Sequence, residues 1–270
     1  MRASVPFRPA LFLLPIVALS IAGASPSDAK GERGCNRGAE NAIVGSQEAE
    51  TLRGTNKDDV ILAGRGDDRI FAFGGEDVVC GGRGDDRILG GPGTGRSGDR
   101  LYGGPGRDRI AGAGGHDVIL GGAGQDVLRG GRQSDSIGGM RGDDWLSGAT
   151  GHDDLYGGPG DDRILGRDGR DLVGYGDANR SVRIDLSLGL ARGDGRDTIA
   201  GIERVAGSHS LDVIVGNWHR NKLNGGAGDD SLLGRGGDDV LDGDSGRDDL
   251  DGGAGHDRCR SGETLERCET

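Results

Sequence analysis

Aromatic residues make up only 3% of this 270-residue chain. A core of large rings cannot be assembled from so few. Positive charge is short as well: 33 Lys and Arg stand against 45 Asp and Glu, giving a formal net charge of −12. That balance argues against nucleic acid or an anionic membrane surface as the main partner, because both require a basic face. Apolar runs are missing except at residues 10–22, which fall short of the roughly 20 residues that span a bilayer. No His-Glu-x-x-His and no Gly-x-Ser-x-Gly occurs, so these metallopeptidase and hydrolase signatures are absent. Cysteine is limited to four residues, Cys35, Cys80, Cys259 and Cys268.

Glycine is what the chain has in excess, 59 residues of it, with 7 prolines. Such a composition without a period marks a disordered chain; with a period, each glycine acquires a structural place. The period is nine. It is clearest over residues 121–165, where the phrase Gly157-Gly158-Pro159-Gly160-Asp161-Asp162-Arg163-Ile164-Leu165 is the last of five similar ones. Glycine holds places one, two and four, aspartate place six and an aliphatic residue place eight. The frame runs from Asp59 through Asp68, Asp77 and Asp86, slips by four residues at 94–97, and continues from Asp99 to Asp171. A second block follows from Asp212 to Asp257. Self-similarity at a short fixed period is the signature of a solenoid.

The division that follows is a leader at 1–29, an N-terminal cap at 30–53, repeat blocks at 54–174 and 207–260, a non-repeat insert at 175–206 and a C-terminal cap at 261–270. Arg2 and Arg8 precede the apolar run and small residues follow it, the pattern of a secretory signal cleaved after Ala24 or Ala29. In the insert, Val182, Ile184, Leu186 and Leu188 alternate with polar residues, predicting a half-buried strand, with another near 202–205; both are expected to extend the sheets as longer rungs. Export makes disulfides plausible among three possible pairings. Cys35 with Cys80 and Cys259 with Cys268 would staple the two ends of the array, and a zinc site is the rival.

In each repeat the first six residues are expected to turn and the last three to form a strand, with place eight inward and seven and nine outward. Two repeats make one coil of a flattened helix with two parallel sheets, and coils about 4.8 Å apart give a rod on the order of 50 Å long. One aliphatic side chain per repeat is a thin core for so much ordered backbone. Stacking also lines up the place-six carboxylates in rows. Calcium answers both problems, since it takes six to eight oxygen ligands from carboxylates and from carbonyls of the glycine-rich turns, and its binding energy becomes folding energy.

The phrase resembles the glycine-rich nonapeptide of the RTX, or haemolysin-type, calcium-binding repeats. The resemblance implies an all-β, right-handed parallel β-roll that holds several Ca2+ ions between turns one coil apart. Carried over residue by residue, the metal ligands expected are Asp59, Asp68, Asp77, Asp86, Asp99, Asp108, Asp117, Asp126, Asp144, Asp153, Asp162, Asp171, Asp230, Asp239, Asp248 and Asp257. Asp135 is left out because Gln133 stands where its repeat should have glycine, and 216–224 is left out because Asn221 replaces aspartate.

These features predict a secreted, monomeric calcium-binding module with a structural or binding role and no catalytic residues, with cell-surface polysaccharide or protein as its candidate partner. The alternative is an extracellular enzyme or polysaccharide-acting protein that uses the insert or a face of the roll. The many equivalent Asp pairs, such as Asp161-Asp162, do not suit acid–base chemistry, which needs one pair with separated pKa values. His116, His152 and His256 hold place five, where they are expected to face solvent, and Trp145 and Trp218 are candidate contact residues. The Gly-x-Gly-x-x-Gly spelled by residues 93–98 has no helix signal after it and carries no nucleotide reading.

Overall fold

The computed structural model describes Cys35, residues 42–93 and residues 98–269. The expected leader, with its apolar run, and the tip of the four-residue slip lie outside the described residues. No helix among the described residues is long and apolar enough to cross a membrane.

Alternation between two sheets follows from the period. Each repeat supplies one strand, and successive strands go to opposite sheets, one of 12 strands and one of 14. Neighbours within a sheet are two repeats apart and in parallel register, as Leu128 pairs with Ile110 on one side and Leu146 on the other. The molecule is therefore a parallel β-roll. Its core is the stack of place-eight side chains, with Ile61, Val79, Leu101, Ile119, Leu128, Ile137, Leu146, Leu155 and Ile164 all fully buried.

Many strands in the regular repeats are longer than three residues, although some, such as Arg69–Phe71 and Asp154–Tyr156, keep to three. Val118–Ala123 covers six, the last three of one repeat and the first three of the next, so only places four to six turn. The reason lies in the pleat. Side chains alternate along a strand, so places six, eight and one all face inward. Place-one glycines such as Gly121 and Gly130 are absent from the positive-φ positions, which belong to places two and four, as at Gly122 (φ 124) and Gly124 (φ 144). Glycine is needed at place one for space, not for backbone freedom. An added Cβ at Gly121 would fall against the Asp126 carboxylate and 2.9 Å from the Gly139 carbonyl oxygen.

The insert adds strands and does not lengthen them. Arg183–Asp185 and Leu190–Arg192 are three residues each and pair antiparallel, and Leu190–Arg192 pairs antiparallel with Arg196–Ala200. This excursion sits wholly in the 14-stranded sheet, between Arg163–Gly169 and Val213–Val215. The chain returns to the other sheet at Arg204–Ala206, close to the expected second strand.

Cys35 pairs with Cys80 and Cys259 with Cys268, with Cα atoms 6.4 and 5.7 Å apart. The first ties Cys35 to the outer face of the 12-stranded sheet across a sequence separation of 45, and the second closes the last coil. Replacing Cys35 and Cys80 together by serine is expected to destabilise the folded chain by about 4 kcal/mol, the loop-closure value for that separation. A calorimetric midpoint equal to wild type would refute it.

Candidate metal-binding turns

Place six lies where the chain leaves the turn, and its inward direction carries the carboxylate under the backbone of the same turn. Two hydrogen-bonding demands meet there. The place-six amide of each coil donates to Oδ1 of the place-six aspartate one coil further on, as Asp68 N–H does to Asp86 and Asp126 N–H to Asp144, both at 2.8 Å. The result is a row of carboxylates along each edge of the roll, buried at place six from Asp68 to Asp171 and from Asp230 to Asp257.

The other oxygen is left over. Oδ2 is buried and has no hydrogen-bond partner at Asp68, Asp77, Asp86, Asp99, Asp108, Asp117, Asp126, Asp135, Asp144, Asp153, Asp162 and Asp171, and again at Asp230, Asp239, Asp248 and Asp257. In the regular coils it borders a small space beside the place-one glycine, and the place-one carbonyl of the next coil borders the same space. Beside Gly81 these are Asp86 Oδ2 and Gly103 O, the latter 2.8 Å from where a Cβ would sit. Two acceptors face one space. A buried, unpartnered carboxylate oxygen is among the costliest groups a fold can contain, and a row of them requires a counter-charge.

Burial pushes the place-six carboxyls from Asp68 to Asp171, with those of Asp230 and Asp239, up from their usual value near 3.8. The amide bond from the preceding coil offsets part of the rise, and neighbouring carboxylates mostly add to it. Asp108, Asp135 and Asp162 are pushed up to about 8. Asp86, Asp99 and Asp144 reach about 7. Asp77, Asp126, Asp171, Asp230 and Asp239 reach about 6. Asp68, Asp117 and Asp153 are raised for the same leading cause.

The donor set selects the cation. Among the described residues no three His, Cys, Asp or Glu side chains converge on one point. Zinc, which draws its ligands from side-chain sulfur and nitrogen, does not fit. A hard cation that accepts carboxylate and backbone carbonyl oxygen in a flexible shell does, and calcium is that cation.

Asp135 has the same buried, unpartnered Oδ2 as its neighbours, although the sequence excluded it. Gln133 takes φ 72 in place of glycine, so a non-glycine residue holds the turn open. Asp59, in contrast, is partly exposed, and its Oδ2 accepts from the Thr55 amide at 2.6 Å and the Thr55 hydroxyl at 2.9 Å. Three further residues join the rows inside and after the blocks. Asp197 Oδ1 and Glu203 Oε2 accept from the amides of Asp162 and Asp171, and Glu263 Oε2 from that of Asp248. The signal for Asp197 was present in Asp194-Gly195-Arg196-Asp197-Thr198-Ile199, a repeat fragment inside the insert. Its Oδ2 accepts from the Tyr175 hydroxyl at 2.7 Å.

Place five forms an outer row that runs the other way: Asp67 Oδ1 accepts from the Asp85 amide, and Asp85 Oδ1 from the Arg107 amide. The histidines belong to it. His152 Nδ1 accepts from the Arg170 amide at 2.9 Å, and His116 Nδ1 lies 2.8 Å from Ser134 O. Trp145 packs under the Arg129 guanidinium, 5.1 Å from ring centroid to Cζ, while Trp218 is 72% exposed and covers Gly236. Beside the insert, a cavity of about 330 Å³ is lined by Leu186, Ile199, Ile202, Glu203, Asn217 and His219.

A search of the curated proteins finds no match to the chain. The family model of the RTX calcium-binding nonapeptide repeat (4 copies) matches it at residues 44–79, 53–88, 94–128, 102–137, 138–173, 200–232 and 224–259.

Proposed function

Because the chain belongs to the RTX calcium-binding nonapeptide repeat family, we propose that it is a secreted structural or binding module whose β-roll forms when calcium fills the place-six rows. The observation that carries this reading is the set of buried, unpartnered Oδ2 atoms from Asp68 to Asp171 and from Asp230 to Asp257. These aspartates, with backbone carbonyls of the adjoining turns, are the ligands. A bound calcium ion supplies the positive charge that lets the carboxylates stay ionised without water. The chain's part is to hold one oxygen of each by the neighbouring coil's amide and to keep place one clear for the other. Export is supported by the two disulfides, which persist in oxidising compartments, and by the leader read in the sequence. Outside the cell calcium is abundant, so folding is switched on after export.

The test is a calcium titration of the oxidised protein at pH 7.5, followed by far-ultraviolet circular dichroism and calorimetry, with magnesium as control. Strand signal is expected to appear cooperatively with several calcium ions and not with magnesium, which prefers a tighter octahedral shell and keeps its waters. A chain that is fully folded in chelator and binds no calcium would overturn the proposal.

A further inference from the structure

Four repeats close their own turns. In 45–53, 54–62, 207–215 and 216–224, place two is Ser46, Thr55, Ser208 or Asn217, where the open turns of the regular coils carry glycine or, as at Ala113 and Met140, another residue at positive φ. In each, the place-two side-chain oxygen accepts from the place-four amide: Ser46 from Glu48 at 3.2 Å, Thr55 from Lys57 at 3.1 Å, Ser208 from Ser210 at 3.1 Å and Asn217 from His219 at 2.8 Å. The place-two amide then donates to the place-six side chain of the same repeat, Glu50 at 2.9 Å, Asp59 at 2.6 Å, Asp212 at 2.6 Å and Asn221 at 2.8 Å. The place-four residues of these turns are not among those with positive φ, whereas Gly66, Gly124 and Gln133 are. These are side-chain-closed turns of the kind that Ser, Thr and Asn make with their own backbone. The oxygen that is orphaned elsewhere is satisfied here from within the repeat.

We infer that the residue at place two decides whether a turn takes calcium, and that the coils 45–62 and 207–224 form without it. The inference rests on the calcium reading above. Asn221 supports it independently: this repeat keeps the closed hydrogen bonds with a neutral amide at place six, which a metal-binding turn could not do without losing its charged ligand. The four closed turns fall in two consecutive pairs, and a consecutive pair is one complete coil. Each run of open turns, 68–171 and 230–257, therefore starts on a coil that needs no ion.

The experiment compares calcium stoichiometry by native mass spectrometry and calorimetry for wild type and three variants of the full chain. Ser208→Gly combined with Ser210→Gly opens a closed turn and is expected to bind at least one more ion than wild type. Asp212→Asn copies what Asn221 already does and is expected to leave the count unchanged, while Asp230→Asn is expected to lose at least one ion. An opened variant that folds and binds the wild-type number overturns the inference. So does a loss of ions from Asp212→Asn, and if the opened variant does not fold, the Asp212→Asn and Asp230→Asn pair decides alone. A wild-type chain that binds no calcium overturns the functional proposal and this inference with it, whereas normal wild-type binding with the wrong variant pattern overturns only the inference.

Discussion

Acidifying the calcium-free chain from pH 8 to pH 5 is expected to restore strand structure in the absence of any metal. The sign follows from the raised carboxyl pKa values. Asp86 at about 7 and Asp108, Asp135 and Asp162 at about 8 hold protons in the folded roll at a pH where the unfolded chain, with carboxyls near 3.8, has released them. Where the folded state binds more protons, stability falls as pH rises. The calcium-free roll is therefore most stable below about pH 4 as far as these groups are concerned, and it loses that stability progressively from there up to about pH 8. A proton on Oδ2 removes the charge that calcium otherwise neutralises. Calcium affinity runs the opposite way, rising with pH because ion and proton compete, and binding at pH 7 releases protons. Circular dichroism in chelator across this range, with calorimetry in buffers of different ionisation enthalpy, tests both halves. No gain of strand signal on acidification, or no proton release on binding, would refute the electrostatic account of the rows.

The same substitution at two adjacent glycines should affect calcium binding very differently. Gly130 is at place one, and a Cβ there would collide with the Asp135 carboxylate, whose Cγ is 2.8 Å and Cβ 2.9 Å away. Gly131 is at place two and pairs with Ala113 on one side and Ala149 on the other, both at positive φ, 80° and 85°. At its own φ of 129 a Cβ on Gly131 would meet the Ala113 carbonyl oxygen, so alanine there requires the backbone to turn toward the φ of its neighbours, away from any carboxylate. Gly130→Ala is expected to cost about 2 to 3 kcal/mol, as forced overpacking does, and to weaken calcium binding at Asp135. Gly131→Ala should also cost about 1 to 3 kcal/mol, because its Cβ meets backbone, but it is expected to leave calcium binding at Asp135 unchanged. Calcium titration of the two variants decides: an equal loss of calcium binding, or a larger one at Gly131, would sink the claim that place one is reserved for the carboxylate.

Much of this molecule could be read from its residues because a solenoid writes each structural role at a fixed place. Ile137 and Leu146 are buried for the reason the period gave, and the rows of Asp68, Asp86 and Asp108 follow from stacking alone. What escaped was decided by geometry within a repeat. That a glycine such as Gly121 serves space and not φ depends on where the Asp126 carboxylate folds back. Asp135 was left out for the Gln133 at its place four and Asp59 was kept, whereas the structure distinguishes them at place two, where Thr55 closes one turn and Gly131 leaves the other open. Asp197 was hidden because the hairpin before it breaks the count.

That hairpin leaves the two faces of the roll with unequal numbers of layers. Between Arg163–Gly169 and Val213–Val215 one face stacks three strands, Arg196–Ala200, Leu190–Arg192 and Arg183–Asp185; between Leu172–Gly174 and Lys222–Ala227 the other stacks only Arg204–Ala206. Each strand occupies about 4.8 Å along the axis, so one face is longer by about 10 Å. Like a wedge driven between the plates of a stack, the excess has to go outward, and the cavity beside Leu186 and Ile199 opens where the faces fall out of step. If residues 176–192 are set aside, Tyr175 runs directly into Gly193-Asp194-Gly195-Arg196-Asp197-Thr198-Ile199-Ala200 and completes a nine-residue phrase with aspartate at place six. The wedge is thus a parenthesis in an otherwise continuous text, and the reading resumes on the word where it broke off.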